Sequence, residues 1–239
     1  MKTFILSSFI FENCTLENKL AFMIIHNLGE QNSILNRFIS EIRSSQIQKD
    51  SMRFRRNIER IGEVLGYEFS KKLSYISKNI DTPLGVKFMN LSQDQVVICS
   101  ILRAGLPLHQ GLLNYFDTAE NGFISAYRKH EKEEDDFEVI VNYFAAPALD
   151  EKILVLTDPM LATGKTLENV QEGLNEYGTP KQIHIVSVIG AKAGIDYIKD
   201  IFPENTHLWI AAIDPELNSR GYIIPGIGDA GDLAYGQKL

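Results

Sequence analysis

The chain has 239 residues, 44% hydrophobic and 23% charged, the balance of an ordinary globular protein with room for one sizeable α/β domain. Its formal net charge of -7 excludes a sequence-independent nucleic-acid binder, which needs Lys and Arg in excess over a broad face, and points to a small-molecule partner. Two cysteines, Cys14 and Cys99, are too few for a disulfide framework or a zinc cluster, and fit a reducing cytoplasm.

The opening "MKTFILSSFIF" reads as a first strand rather than a secretory leader, because Glu12, Asn13 and Cys14 follow where small residues would precede a cleavage site. No apolar run approaches the roughly 18 residues needed to cross a bilayer, so no membrane partner is expected. Ile34, Leu35, Phe38, Ile39 and Ile42 are spaced as one face of a helix, and Phe54, Ile58, Ile61 and Leu65 repeat that spacing in a second. Residues 1–80 therefore read as a mainly helical extension. Arg53, Arg56 and Arg60 share a side of the second helix, with Arg55 near Glu59, and this is the pattern of a solvated face.

From residue 96 the texture changes to short apolar runs, "VVICS", "GFISAY", "KILVLT", "QIHIVSVIG" and "THLWIAAI", alternating with helical segments such as Leu167 to Tyr177 and Ala193 to Ile201. That alternation predicts crossover units and a mainly parallel sheet over 96–214, whose ligands bind at the carboxyl ends of the strands. "YRKHEKEEDDFEVIVNYF" interrupts the series as a hairpin with a charged tip, Lys132 to Asp136, read as solvated rather than cation-binding.

"LTDPMLATGKT", Leu156 to Thr166, ends in the letters of an ATP-binding phosphate loop. Such a loop needs a glycine five residues before Gly164, where this chain has Pro159, which has no N–H to offer and a fixed φ. The stretch reads better as a strand delivering Asp158, then a loop, then Thr163 to Thr166 opening a helix that contains Leu167, Val170 and Leu174. Helix-start N–H groups and two threonine hydroxyls suit a phosphate, and Asp158 suits a pair of sugar hydroxyls. Together they describe a ribose 5-phosphate, although an ordinary turn capped by Asp and Thr has the same letters.

Four ordered blocks extend the argument: "ILRAGL" at 101–106, "YR" at 127–128, "DPMLATG" at 158–164 and "GYIIPGIGDAGD" at 221–232, with "TPLG" at 82–85 as a weaker fifth. With these, the chain resembles the uracil phosphoribosyltransferases from about Arg53 onward, while the first 25 residues look unlike them. The resemblance implies an α/β, type I phosphoribosyltransferase-like fold: a mainly parallel sheet flanked by helices, a helical N-terminal extension, a β-hairpin arm, and a base-binding hood at 215–239, all within one domain spanning 1–239. It implies transfer of the 5-phosphoribosyl group of phosphoribosyl pyrophosphate (PRPP) to N1 of uracil, giving UMP and pyrophosphate, with Mg²⁺ held mainly by PRPP rather than by protein ligands. It also implies a cytoplasmic homodimer or larger assembly.

Residue by residue, the resemblance puts Arg103, Arg128 and Asp158 at the reacting centre, with PRPP also contacted by Pro159, Met160, Leu161, Ala162, Thr163, Gly164, Lys165, Thr166 and Asp229. Uracil falls to Ile223, Gly228, Asp229 and Ala230. Guanidinium forks suit a leaving pyrophosphate, whose charge builds in the transition state. A glycine-rich tail exposes backbone groups that can read O2, N3–H and O4 of uracil, and cytosine would leave one of them unpaired.

Two features depart from the family: Lys165 stands where the family commonly has glycine, and Lys129 follows Arg128 where an acid is common. Thr157 stands where other members of the wider fold carry an acid, an absence that is usual in the uracil branch. Two other functions fit parts of the chain: a P-loop nucleotide kinase, with Asp214 as its magnesium-binding acid, and a non-catalytic nucleotide-binding regulator on the same fold.

Overall fold

The computed structural model describes residues 23–130 and 137–238. In chain order its elements are β1 (Ile24–Asn27), α1 (Leu35–Arg43), α2 (Ser51–Ser70), β2 (Tyr75–Thr82), β3 (Gly85–Ser92), β4 (Val96–Leu102), α3 (Gly105–Leu113), β5 (Glu120–His130), β6 (Phe137–Ala145), β7 (Ile153–Thr157), β8 (Met160–Leu161), α4 (Lys165–Leu174), β9 (Gln182–Ala191), α5 (Lys192–Lys199), β10 (His207–Asp214), β11 (Glu216–Leu217), β12 (Ile223–Ile224) and α6 (Ala230–Tyr235).

Seven strands run in the order β1-β10-β9-β7-β4-β5-β6, and β8 adds to the end of β9. Every pair in this sheet is parallel except β5 with β6. All five residues of β7 are buried, as are the last nine of β9, because helices cover both faces and the strands have no wet side to present. On one face α2 lays down Phe54, Ile58, Ile61 and Leu65, each at most 1% exposed, so the predicted apolar stripe is the buried one. The other face is filled by Leu167, Val170, Leu174, Ile195 and Ile198 of α4 and α5.

The N-terminal region is less helical than the periodicity predicts. Ile24–Asn27 pairs with β10 as the edge of the main sheet, and 75–92 forms an antiparallel hairpin that the sequence reading missed. "TPLG" is the turn of that hairpin, with Thr82 opposite Gly85. The strand expected at "MKTFILSSFIF" and the hairpin tip Lys132 to Asp136 lie outside the described residues, although β5 and β6 pair antiparallel on either side of the tip as predicted.

Arg53, Arg56 and Arg60 lie near acids and amides of their own surroundings, as a solvated face would. Arg56, not Arg55, takes Glu59, at 2.5 Å, and Arg53 stands 3.5 Å from Glu41. Arg55 turns instead to the far end of the chain and donates to the Ala234 carbonyl at 2.6 Å.

At the amino ends of the strands, away from the carboxyl-end loops, His26, His184, His207 and Trp209 stack, with Trp209 Nε1 donating to His184 Nδ1 at 3.0 Å. Burial, then the charges of His207 and His26, lowers the His184 pKa to about 3; burial first, then His207, takes His26 to about 4. In the unfolded chain both return to about 6.5. The neutral imidazoles thus stabilise the fold fully above pH 6.5, and this contribution is lost as pH falls toward 4 and then 3. The melting temperature is expected to fall between pH 6.5 and 5 in a scanning calorimeter. A His184→Gln chain should show a shallower fall over that interval; an identical slope would remove this account of acid lability.

Candidate active site

Four chain segments converge beyond the carboxyl ends of the central strands. The first is "DPMLATGKT". β7 ends at Thr157, Asp158 follows, and its Oδ1 accepts from the Met160 amide at 3.1 Å, which turns the chain into β8. Gly164 then caps α4 with φ +85, a left-handed conformation that side-chain-bearing residues rarely adopt. A Cβ there would also lie 2.8 Å from Tyr197 and 2.9 Å from Ile198 of α5. Both requirements fall on Gly164, so Lys165 is left as an ordinary first helical residue, its amide 3.4 Å from Thr163 Oγ1. A lysine therefore fits at this position. Asp158, Met160, Leu161, Ala162, Thr163, Gly164, Thr166 and Leu167 line a small concavity at the head of α4. Pro159 is buried beside it and its carbonyl accepts from the amides of Val188 and Ile189.

Thr157 is wholly buried, and its hydroxyl stands 2.5 Å from Ser100 Oγ, which stands 2.6 Å from His109 Nδ1. His109 Nε2 donates to Asn121 Oδ1 at 2.8 Å, since the Asn121 amide nitrogen is committed to the Ala119 carbonyl. The donors then run in one direction, from Thr157 to Ser100 to a neutral His109, and burial lowers the His109 pKa in keeping with that state. The chain ties together β4, β5, β7 and α3 beneath the loop. An acid in place of Thr157 would put an unpaired charge into this buried spot, which explains the missing carboxylate.

Arg103 forms the second segment, at the turn from β4 into α3. Its guanidinium reaches the C-terminal tail: one nitrogen is 3.0 Å from Asp232 Oδ1 and 3.1 Å from the Gly236 carbonyl. Its Nε is buried and has no hydrogen-bond partner among the described residues, an unmet donor pointing to a missing acceptor. The third segment is β5, which continues past the end of β4: Leu102 is opposite Ser125, and a bulge follows before Arg128 pairs with Val139. The backbone thus carries residue 128 past the carboxyl end of β4, where it pairs with β6 alone, while its side chain lies outside the described part of the structure.

The tail is the fourth segment. Asp229 caps α6, its Oδ1 accepting from the Asp232 amide at 2.9 Å, and Gly231 packs beneath the Arg103 guanidinium. Gly228 is exposed, Asp229 half-buried and Ala230 buried. Ile223 is buried in the core, so any contact it offers a ligand runs through its backbone, with Tyr222 and Ile224 exposed on either side.

Two arginines not anticipated as part of the site also hold this tail. Arg43 grips Asp214 with both terminal nitrogens, at 2.8 and 2.9 Å, and Arg55 takes the Ala234 carbonyl. Asp214, the acid a P-loop kinase would need for magnesium, is thereby committed to an ion pair and to the Gly226 amide. Together with Pro159 this removes that reading.

The chain is similar to known proteins over most of its length. A profile of the family described as uracil phosphoribosyltransferase matches residues 30–237, beginning earlier than the blocks recognisable by eye. A uracil phosphoribosyltransferase of Porphyromonas gingivalis is 52% identical over 216 residues, covering 90% of this chain and 99% of that protein. One from Pyrococcus furiosus is 38% identical, covering 88% of this chain and 89% of its own length. Among solved structures, the AQ2163 protein of Aquifex aeolicus superposes with a TM-score of 0.80 at 30% identity, covering 90% of this chain and all of that one. The chain belongs to the uracil phosphoribosyltransferase family.

Proposed function

We propose that the protein transfers the 5-phosphoribosyl group from PRPP to N1 of uracil, releasing UMP and pyrophosphate, a step of pyrimidine salvage. The observation that carries this reading is the meeting of the α4 phosphate cradle, Arg103 and the glycine-rich tail at the carboxyl end of one parallel sheet. Thr163 to Thr166 bind the 5-phosphate through the helix-start amides and hydroxyls, and Asp158 accepts from the ribose hydroxyls. Arg103 and Arg128 bind the pyrophosphate, and the tail at Ile223, Gly228, Asp229 and Ala230 reads the base, with Asp229 also facing the donor.

In the reaction the C1′–O bond to pyrophosphate breaks, C1′ gains oxocarbenium character, uracil N1 bonds to C1′, and the N1 proton leaves to solvent. Positioning of the two partners and stabilisation of the leaving charge lower the barrier. Among the described residues no three His, Cys, Asp or Glu side chains converge as a metal cage. Mg²⁺ keeps much of its own water and takes substrate phosphate oxygens, so it fits a site where PRPP supplies the ligands, and it would neutralise charge on the leaving group.

The decisive assay incubates the protein with Mg²⁺, PRPP and each nucleobase in turn, and measures nucleotide and pyrophosphate. UMP is expected from uracil alone; no UMP above a protein-free control would end the reading.

A homodimer is part of this proposal. β2 and β3 stand apart from the main sheet, and one face of the ribbon presents Ile76 opposite Leu91 and Met89 beside Lys78, with Leu84 fully exposed at the tip. A lone two-stranded ribbon is marginal in water, so one that exposes Ile76, Met89, Leu91 and Leu84 calls for cover by a second copy. Light scattering should give twice the chain mass, and the double change Met89→Asp, Leu91→Asp should give the monomer; a wild-type monomer would remove the proposal. Work in the cytoplasm is part of the same reading and rests on the scarcity of cysteine, Cys14 and Cys99 alone in 239 residues. No helix among the described residues is long and apolar enough to cross a membrane.

A further inference from the structure

The base-reading tail is held from behind by a polar clamp. Asp214, at the carboxyl end of β10, accepts from the Gly226 amide through Oδ2 at 2.8 Å. Arg43, the last residue of α1, donates to the Gly226 carbonyl at 3.1 Å while gripping both oxygens of Asp214 at 2.8 and 2.9 Å. Both peptide groups flanking the Gly226 Cα are therefore fixed by one ion pair. Gly226 has φ +63, and a Cβ on it would lie 2.1 Å from the Ile223 carbonyl, so the turn folds tightly back on itself. The clamped residue sits between Ile223 and Gly228, two of the positions assigned to uracil.

Asp214 is 7% exposed and Arg43 25%, so the pair is largely shielded and held bidentate. We infer that Arg43 and Asp214 are positioning residues for uracil: they set the path of 223–228 and thereby the register of the backbone groups that read the base. The inference rests on the reading of the tail as the base site.

It predicts a split between the two substrates. A backbone displaced by a fraction of an ångström at the reading groups weakens uracil binding, while the cradle at α4, anchored through β7 and β9, keeps its affinity for PRPP. Arg43→Ala and Asp214→Asn are expected to raise the KM for uracil by about tenfold or more. The KM for PRPP should stay within about twofold of the wild type. Arg43→Lys, which can still donate to Asp214 or to the Gly226 carbonyl, should recover part of the loss.

The test is steady-state kinetics of the full chain, varying each substrate in turn, with Gly228→Ala measured alongside. Should Arg43→Ala fail to fold, Asp214→Asn and Arg43→Lys carry the test, since both keep the side-chain volume. A uracil KM within about twofold of wild type in the folded clamp variants, with Gly228→Ala raised, overturns the clamp alone. A parallel rise in both KM values marks a general loosening and also overturns it. If Gly228→Ala leaves the uracil KM unmoved as well, the base-site reading itself falls.

Discussion

Arg103→Ala is expected to lower kcat/KM for PRPP by about 10²- to 10³-fold, the usual cost of removing one preorganised donor to a developing negative charge. The guanidinium sits where two roles are possible, since it binds Asp232 and Gly236 of the tail and also carries a buried Nε with no partner among the described residues. Magnitudes separate them. Asp232 and Arg103 are each about a third exposed, and such a pair contributes roughly 1 kcal/mol or less. A loss of 10²- to 10³-fold corresponds to about 2.7–4 kcal/mol, too much for the tail contact alone. Asp232→Asn should therefore retain most activity while Arg103→Ala does not. Equal losses in the two variants would assign Arg103 to holding the tail rather than to the leaving pyrophosphate.

Asp158→Asn comes next in size. The asparagine Oδ1 can still accept from the Met160 amide, so the turn into β8 keeps this hydrogen bond. What disappears is the negative charge on which the proposed ribose contact relies. Hydrogen bonds to charged groups contribute about 1.5–3 kcal/mol, so kcat/KM for PRPP should fall by roughly 10- to 100-fold. Wild-type turnover in this variant would remove the role given to the carboxylate.

Local patterns made much of this structure legible. The period of Phe54, Ile58, Ile61 and Leu65 placed α2 and its buried face, and the apolar runs from 96 to 214 placed β4, β5, β7, β9 and β10, because strands covered on both faces have to be apolar throughout. β1 escaped notice because four residues carry too little period to read, and its place comes entirely from pairing with β10. The β2–β3 hairpin mixes polar and apolar residues on exposed faces, so no burial pattern announces it. In α3 the stretch "GLPLHQGLL" has two glycines and a proline in nine residues, poor helix formers by propensity, and tertiary packing overrides them.

The site divides in the same way. The residues at the head of α4 are contiguous in sequence, and Lys165 fits there because Gly164 carries the left-handed φ. Arg43 and Arg55 gave no signal, because their partners lie 171 and 179 residues away and a charged residue on a helix reads by default as solvated. The expected nearness of Arg55 to Glu59 followed the helical spacing, and a carbonyl in α6 outcompeted it.

The most direct test of the whole account is a crystal structure of the protein with UMP. The 5-phosphate should lie against the amides of 163–166, the ribose hydroxyls against Asp158, and the uracil edge against the backbone of 223–230. A nucleotide bound with its phosphate away from the head of α4, or with its base away from that tail, would contradict it.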